Sequence, residues 1–196
     1  MQQASARVNN DILQAAASSG PQNAGMGATI VMALVQKDTV VIAHAGDSRA
    51  YLFRGHSLSR LTRDHSVVQR MLDYEMLTEA EARVHPDSNK ILRAIGFAGV
   101  FQLDVSCPLA IEPQDGILLC SDGLCLEVED LTIAELIRRS FAGRTCVCSA
   151  LLSEAIAAGA SDNVCMQFLR FLPEGRPLWR RMREAFHWGR KSFQNT

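Results

Sequence analysis

Three aspartates, each in a short turn beside an apolar run, are the residues of this 196-residue chain best placed to do chemistry. Asp47 lies in Ala45-Gly46-Asp47-Ser48-Arg49, after Val40-Val41-Ile42-Ala43. Asp122 lies in Ser121-Asp122-Gly123, after Ile117-Leu118-Leu119-Cys120, and Asp162 lies in Ser161-Asp162-Asn163, just before Val164 to Leu169. Strands built on those runs would hold three short carboxylates in fixed positions. Hard divalent cations such as Mg²⁺ and Mn²⁺ take oxygen ligands, and a carboxylate anchored at a strand end supplies one without the ordering of a long side chain. Any one of these triplets alone is more often an ordinary turn, in which Asp accepts backbone N–H groups and Gly supplies positive φ. The metal reading rests on the three together.

The elements needed to position them follow from periodicity. Residues 28–36, 39–46, 49–54 and 57–61 read as four strands of an antiparallel meander, linked by Lys37-Asp38, Gly46-Asp47-Ser48 and Arg54-Gly55-His56. Helical spacing takes over at 64–73, and Thr78-x-x-Glu81 is a capping box for a second short helix ending before Pro86. Asp87 to Ile95 reads as a third helix, 100–107 and 116–121 as strands, Thr132-x-x-Glu135 as the cap of a helix to about Phe141, and Thr145 to Ala158 as another. A last strand spans 163–171. At the front, Ala4, Val8, Ile12 and Ala15 or Ala16 form the apolar stripe of a helix that Ser18-Ser19-Gly20-Pro21 stops. Continuous apolar strands imply sheets covered on both faces.

Five further segments accompany the acids: Gly25-Met26-Gly27-Ala28-Thr29, Leu61-Thr62-Arg63-Asp64-His65-Ser66, Arg93-Ala94-Ile95-Gly96, Asp115 to Leu124, and Gly159-Ala160-Ser161-Asp162-Asn163. Together, over about residues 5 to 171, they resemble the PP2C (PPM-type) metal-dependent serine/threonine protein phosphatases, in a bacterial style. The resemblance implies an α+β fold, an αββα sandwich of two antiparallel sheets flanked by helices. It implies hydrolysis of phosphoserine and phosphothreonine by metal-activated water, with Mn²⁺ or Mg²⁺ as a binuclear cofactor. It matches Asp122 and Asp162 to ligands of a first metal, and Asp47 with Asp122 to a weaker third site. Phosphorylated Ser/Thr proteins, and a cognate Ser/Thr kinase, are the partners it implies. The family's opening strand, with its Asp-Gly-Met-Gly-Gly segment and bridging Asp, has no counterpart here, so the domain reads as N-terminally incomplete, the metal set as partial, and the chain as weakly active or inactive. The alternative is a non-catalytic module that binds a phosphoprotein or kinase.

Other residues carry plainer expectations. Arg49 reads as a structural partner of nearby acids rather than a phosphate contact, since Arg pairs readily and bidentately with carboxylates. Asp64 reads as a helix N-cap, with His65 serving helix initiation, and Asn163 as orienting its turn. His44 and His85 have no ligand-spaced partners in the sequence, and the six cysteines read as buried free thiols. Residues 63–105 form a mixed-charge segment that is a candidate for substrate contact. The composition, 47% apolar and 21% charged with net charge −1, fits one globular domain over 1–172 and gives no sign of nucleic-acid binding. No leader-like or membrane-length apolar run is present, which makes the cytoplasm the expected location. Residues 173–196 form a basic amphipathic tail, in which Arg176, Arg180, Arg181, Arg183, Arg190 and Lys191 face only Glu174 and Glu184. Docking on its own domain or a disordered extension is the expectation, with an acidic membrane surface as the lesser option.

Overall fold

A computed structural model describes residues 2–20, 25–99, 101–143, 145–160 and 162–172. The tail assigned to 173–196 lies outside them. The chain opens with α1 (Gln2–Ser18), followed by β1 (Ile30–Gln36), β2 (Thr39–Ala45), β3 (Arg49–Arg54) and β4 (Ser57–Arg60). Next come α2 (Val67–Asp73), α3 (Glu79–Arg83), β5 (Asp104–Val105), β6 (Leu109–Ala110) and β7 (Gly116–Cys120). The remaining elements are α4 (Asp122–Cys125), α5 (Asp130–Gly143), α6 (Val147–Ala157) and β8 (Met166–Arg170).

The strands form two antiparallel sheets. One has the order β1-β2-β5, with β6 also on β2, and the other the order β4-β3-β7-β8. The expected meander is therefore broken at Gly46-Asp47-Ser48: β2 and β3 do not pair, and the turn carries the chain from one sheet to the other. Alternation of side chains along β3 and β7 explains the layers. Ala50, Leu52, Ile117 and Leu119 point at Val40 and Ile42 of the facing sheet. Tyr51, Phe53, Leu118 and Cys120 point the other way, into Leu124, Val128, Ile133, Ile137 and Leu151 of the helical layer. Both faces of β7 are thus buried, and each large aliphatic side chain there contributes about 1.5–3 kcal/mol. This is the αββα arrangement.

Three local expectations are corrected. The stripe of α1 turns inward only in its second half: Ala4 and Val8 are exposed, Ile12 and Ala16 are half-buried, and the buried residues are Ser5 and Asn9. The helix docks by polar contacts, with Asn9 Oδ1 accepting from Gly96 N at 2.7 Å and the Gln2 amide bonding both the N–H and the carbonyl of Leu103 at 3.1 and 2.6 Å. Residues 87–95 are turns and isolated bridges rather than a helix, because Ile91 and Ile95 pair across to Ser66 and Ala28. Helix α5 begins at Asp130, ahead of Thr132. The capping box of α3 is as read, with Thr78 and Glu81 exchanging both bonds. Of the six free thiols, Cys120 and Cys125 are buried, and Cys107, Cys146 and Cys165 are exposed. No helix among the described residues is long and apolar enough to cross a membrane.

Candidate metal centre

The register of the second sheet determines where the acids fall. Arg49 of β3 faces Cys120 of β7, and Cys120 faces Met166 of β8. Asp47 lies two residues before that row, Asp122 two residues after it, and Asp162 in the loop leading into β8. Antiparallel pairing thus brings all three to one end of three neighbouring strands, which lie about 4.8 Å apart.

Asp47 is held by a turn that only glycine can make. Gly46 has φ +116°, and a Cβ there would lie 2.4 Å from Thr29 Cγ2. Thr29 Oγ1 and Ser48 Oγ are hydrogen-bonded at 2.8 Å on the other side of the turn. Asp122 opens α4 and accepts from Gly123 N at 2.9 Å. Asp47 and Asp122 line one cleft of about 460 Å³. Burial raises the Asp47 carboxyl from its ordinary 3.8 to about 6, and the charge of Asp122 adds to the effect. Two anionic groups thus share one partly dry cleft.

Asp162 is placed differently. Its loop is tied to Asp122: Ser121 Oγ donates to Asn163 O at 3.2 Å and accepts from Cys165 N at 3.0 Å, and Ser121 N donates to Cys165 O at 2.9 Å. Gly123 lets this loop approach, since a Cβ would sit 2.6 Å from Asn163 O and 3.4 Å from Asp162 O. The Asp162 carboxylate accepts from Asn163 N at 2.6 Å, as the turn reading of Asn163 expected, and it is not among the groups lining the cleft.

Around the acids runs a network that the sequence reading assigned incorrectly. The N-cap of α2 is Ser66, whose Oγ accepts from Gln69 N, and not Asp64. Asp64 is 9% exposed and pairs with Arg49 through Nε at 3.1 Å and Nη2 at 2.8 Å, and also with Arg60. Arg49 continues to Tyr51 Oη at 3.3 Å, which donates to Asp130 at 3.1 Å. Burial is the largest single influence and opposes the charge of Arg49, but the hydrogen bond to Asp64 and the surrounding charges together outweigh it and hold the guanidinium above its usual pKa. Arg49 is thus a structural partner, as expected. The sequence signals for Asp64 were Arg60 at the i−4 position and the arginine following Gly-Asp-Ser. The segment 63–105 does border the cleft, through Ser66, Gln69, Glu79, Arg83 and Ser88 among others. Beside it, His44, His65 and Asp104 bring one ligand-type atom each within 4.8 Å of one another, a grouping their sequence positions did not suggest. His85 is occupied locally, its Nδ1 accepting from Asp87 N at 3.1 Å.

A two-sheet sandwich between helical layers, with aspartates gathered at one end of β3, β7 and β8, is the architecture of a protein phosphatase 2C domain, and the chain belongs to that family. The protein phosphatase 2C profile matches residues 2–81. The serine/threonine phosphatase PstP/Ppp of Mycobacterium tuberculosis is 31% identical, with a TM-score of 0.74 over 85% of this chain and 68% of that one. The Streptococcus agalactiae serine/threonine phosphatase is 28% identical, with a TM-score of 0.79 over 88% of this chain and 69% of that one. Among curated relatives, the serine/threonine phosphatase stp of Listeria monocytogenes is 36% identical over 159 residues, 80% of this chain. The chain spans 61% of that protein's length. A further structure, the PstP catalytic domain at 30% identity, was solved in complex with two manganese ions.

Proposed function

We propose that these residues belong to a metal-dependent serine/threonine protein phosphatase and supply part of its metal centre, with phosphoserine and phosphothreonine proteins as substrates and a Ser/Thr kinase as functional counterpart. One observation carries the reading. Asp47 and Asp122, delivered by adjacent strand ends, share a cleft in which Asp47 resists ionisation until about pH 6. A paired set of hard oxygen donors suits Mn²⁺ or Mg²⁺.

Asp122 and Asp162 would hold one ion, and Asp47 with Asp122 a further one. When bound, the metal supplies an activated water and neutralises phosphoryl oxygens during in-line displacement. This chain's own residues do the positioning. Ser121 and Gly123 keep the Asp162 loop against α4, the crossover turn presents Asp47, and Arg49 is tied to Asp64, so that its charge offsets only a small part of that of Asp47. The flanking segment, through Arg83, Ser88 and Glu79, borders the space a phosphopeptide would occupy.

Residues 1–196 alone are expected to turn over slowly or not at all, because the carboxylates within them supply only part of a binuclear set. The Asp162 carboxylate, bonded to Asn163 N and not among the groups lining the cleft, favours a second reading of this polypeptide as a phosphoprotein-binding module without turnover. The test is calorimetric Mn²⁺ binding and Mn²⁺-dependent hydrolysis of a phosphothreonine peptide by purified residues 1–196, with Asp122→Asn alongside. Mn²⁺ binding that is lost in the variant, with slow or absent turnover, is the expected result. Absence of Mn²⁺ binding in a folded chain refutes the metal centre, and brisk hydrolysis refutes the partial set.

A further inference from the structure

We infer that His65 is the positioning residue of the Asp47 turn: its neutral ring accepts the Gly46 N–H and couples the turn to the segment flanking the cleft. The inference rests on the metal reading of Asp47 and deepens it.

The geometry begins with a reciprocal pair. His65 N donates to Gly46 O at 2.9 Å, and Gly46 N donates to His65 Nδ1 at 3.1 Å. Nδ1 is therefore the bare nitrogen, and Nε2 carries the proton that it directs to Asp104 Oδ2 at 3.1 Å. Asp104 is fixed in turn by Arg93. The face of the ring is fixed as well: it stacks on His44 of β2 with centroids 4.7 Å apart and planes 6° from parallel. His44 is anchored by Nε2 on Arg63 O at 2.9 Å. Finally, His65 O accepts from Leu92 N at 2.6 Å, which joins the same residue to the far side of the flanking segment.

These bonds also decide what the trio of His44, His65 and Asp104 is not. Both nitrogens of His65 are engaged, one as acceptor and one as donor, so no lone pair is left for a cation. The stacked rings are a second obstacle, because lone pairs lie in the ring plane and parallel planes do not converge on one point. The trio is a hydrogen-bonded clamp. Gly46 cannot be replaced without a collision with Thr29, and glycine alone imposes little on its own backbone, so the contacts around it must fix the turn; His65 is the side chain that satisfies its buried N–H. Asp47 is the next residue, so the backbone position from which its carboxylate extends is set by that peptide.

The test uses residues 1–196 with His65→Ala, His65→Asn and His65→Gln. Asn carries Oδ1 where Nδ1 of His lies, whereas the acceptor of Gln lies one bond further out. Calorimetric Mn²⁺ affinity is expected to fall about 10–100-fold in the Ala and Gln variants and to stay within about threefold of the parent in the Asn variant, the range for a lost and a retained ligand-orienting contact. The Gly46 amide, followed by ¹H–¹⁵N NMR and hydrogen exchange, should remain protected in the parent and in the Asn variant, and lose protection in the other two. Parent-like affinity in a folded His65→Ala variant, or a folded Asn variant as impaired as the Ala variant, overturns the positioning role. No Mn²⁺ binding by the parent, with Gly46 still protected through His65, overturns the metal reading while leaving the hydrogen bond in place.

Discussion

Replacing Asp47 by Asn should stabilise the cation-free chain, and the pH dependence of that gain tests the electrostatics of the cleft directly. Folding raises the Asp47 carboxyl from 3.8 to about 6, chiefly through burial and secondly through Asp122. A carboxyl whose pKa is raised in the fold destabilises it once ionised. The penalty is therefore absent below about pH 4, grows through the interval between the two values, and is complete above the folded one. Two units at about 1.36 kcal/mol each set an upper bound near 3 kcal/mol. Asp47 keeps part of its surface in the solvent-filled cleft, so screening reduces this to about 1.5–2 kcal/mol. At about 2–4 °C per kcal/mol for a chain of this size, Asp47→Asn should raise Tm in EDTA at pH 7 by about 3–8 °C, and by almost nothing at pH 4. Saturating Mn²⁺ should reverse the order, because a cation at about 100 times its Kd adds about 2.7 kcal/mol to the parent and less to the variant. Thermal unfolding across pH 4–8, in EDTA and in Mn²⁺, gives the answer. A variant that melts at or below the parent at pH 7 in EDTA refutes the argument, as does a gain that does not change with pH.

Gly123→Ala should detach the Asp162 loop, since the new methyl would lie 2.6 Å from a backbone carbonyl with no flexible side chain to give way. Mn²⁺ affinity, read by calorimetry, is expected to fall at least about tenfold while far-ultraviolet circular dichroism is unchanged. Arg54→Met leaves Asp115, 2% exposed, without its bidentate partner at 2.6–3.2 Å, and urea denaturation should show a loss of about 2–4 kcal/mol.

Most of the scaffold was legible because its signals are local. The runs before Asp47 and Asp122 are long, apolar and closed by turn residues, and the capping box of Thr78 and Glu81 states its helix outright. What the sequence hid were relations between distant elements. Gly46-Asp47-Ser48 reads like a hairpin link, and nothing near it reveals that β3 leaves the sheet of β2 to join β7. Asn9 lies on the buried side of α1 because its partner, Gly96 N, is a polar backbone group outside the helix, whereas Ser5 beside it is satisfied within α1 by Gln2 O, so the apolar stripe was a poor guide to the docking face. Asp64 has the composition of a cap but is claimed by two arginines, a contest that local propensity does not see. His65 meets its partner Gly46 across the junction of two elements. Asp122 and Asp47 were legible as acids beside strands, whereas the turning of the Asp162 carboxylate onto Asn163 N is a property of the folded loop.

The placement of the acids beyond the ends of β3, β7 and β8 has a kinetic consequence. They are far apart in the chain and meet only when those three strands are paired in register, and non-local pairing of this kind is the slow part of folding. A cation held by these acids would therefore find its ligands late, after the rate-limiting sheet is in place. Interactions absent from the transition state slow unfolding and leave the folding rate alone. On the proposed metal reading, binding at these acids would act as a latch on the finished fold, lengthening the life of the native state without guiding the chain towards it.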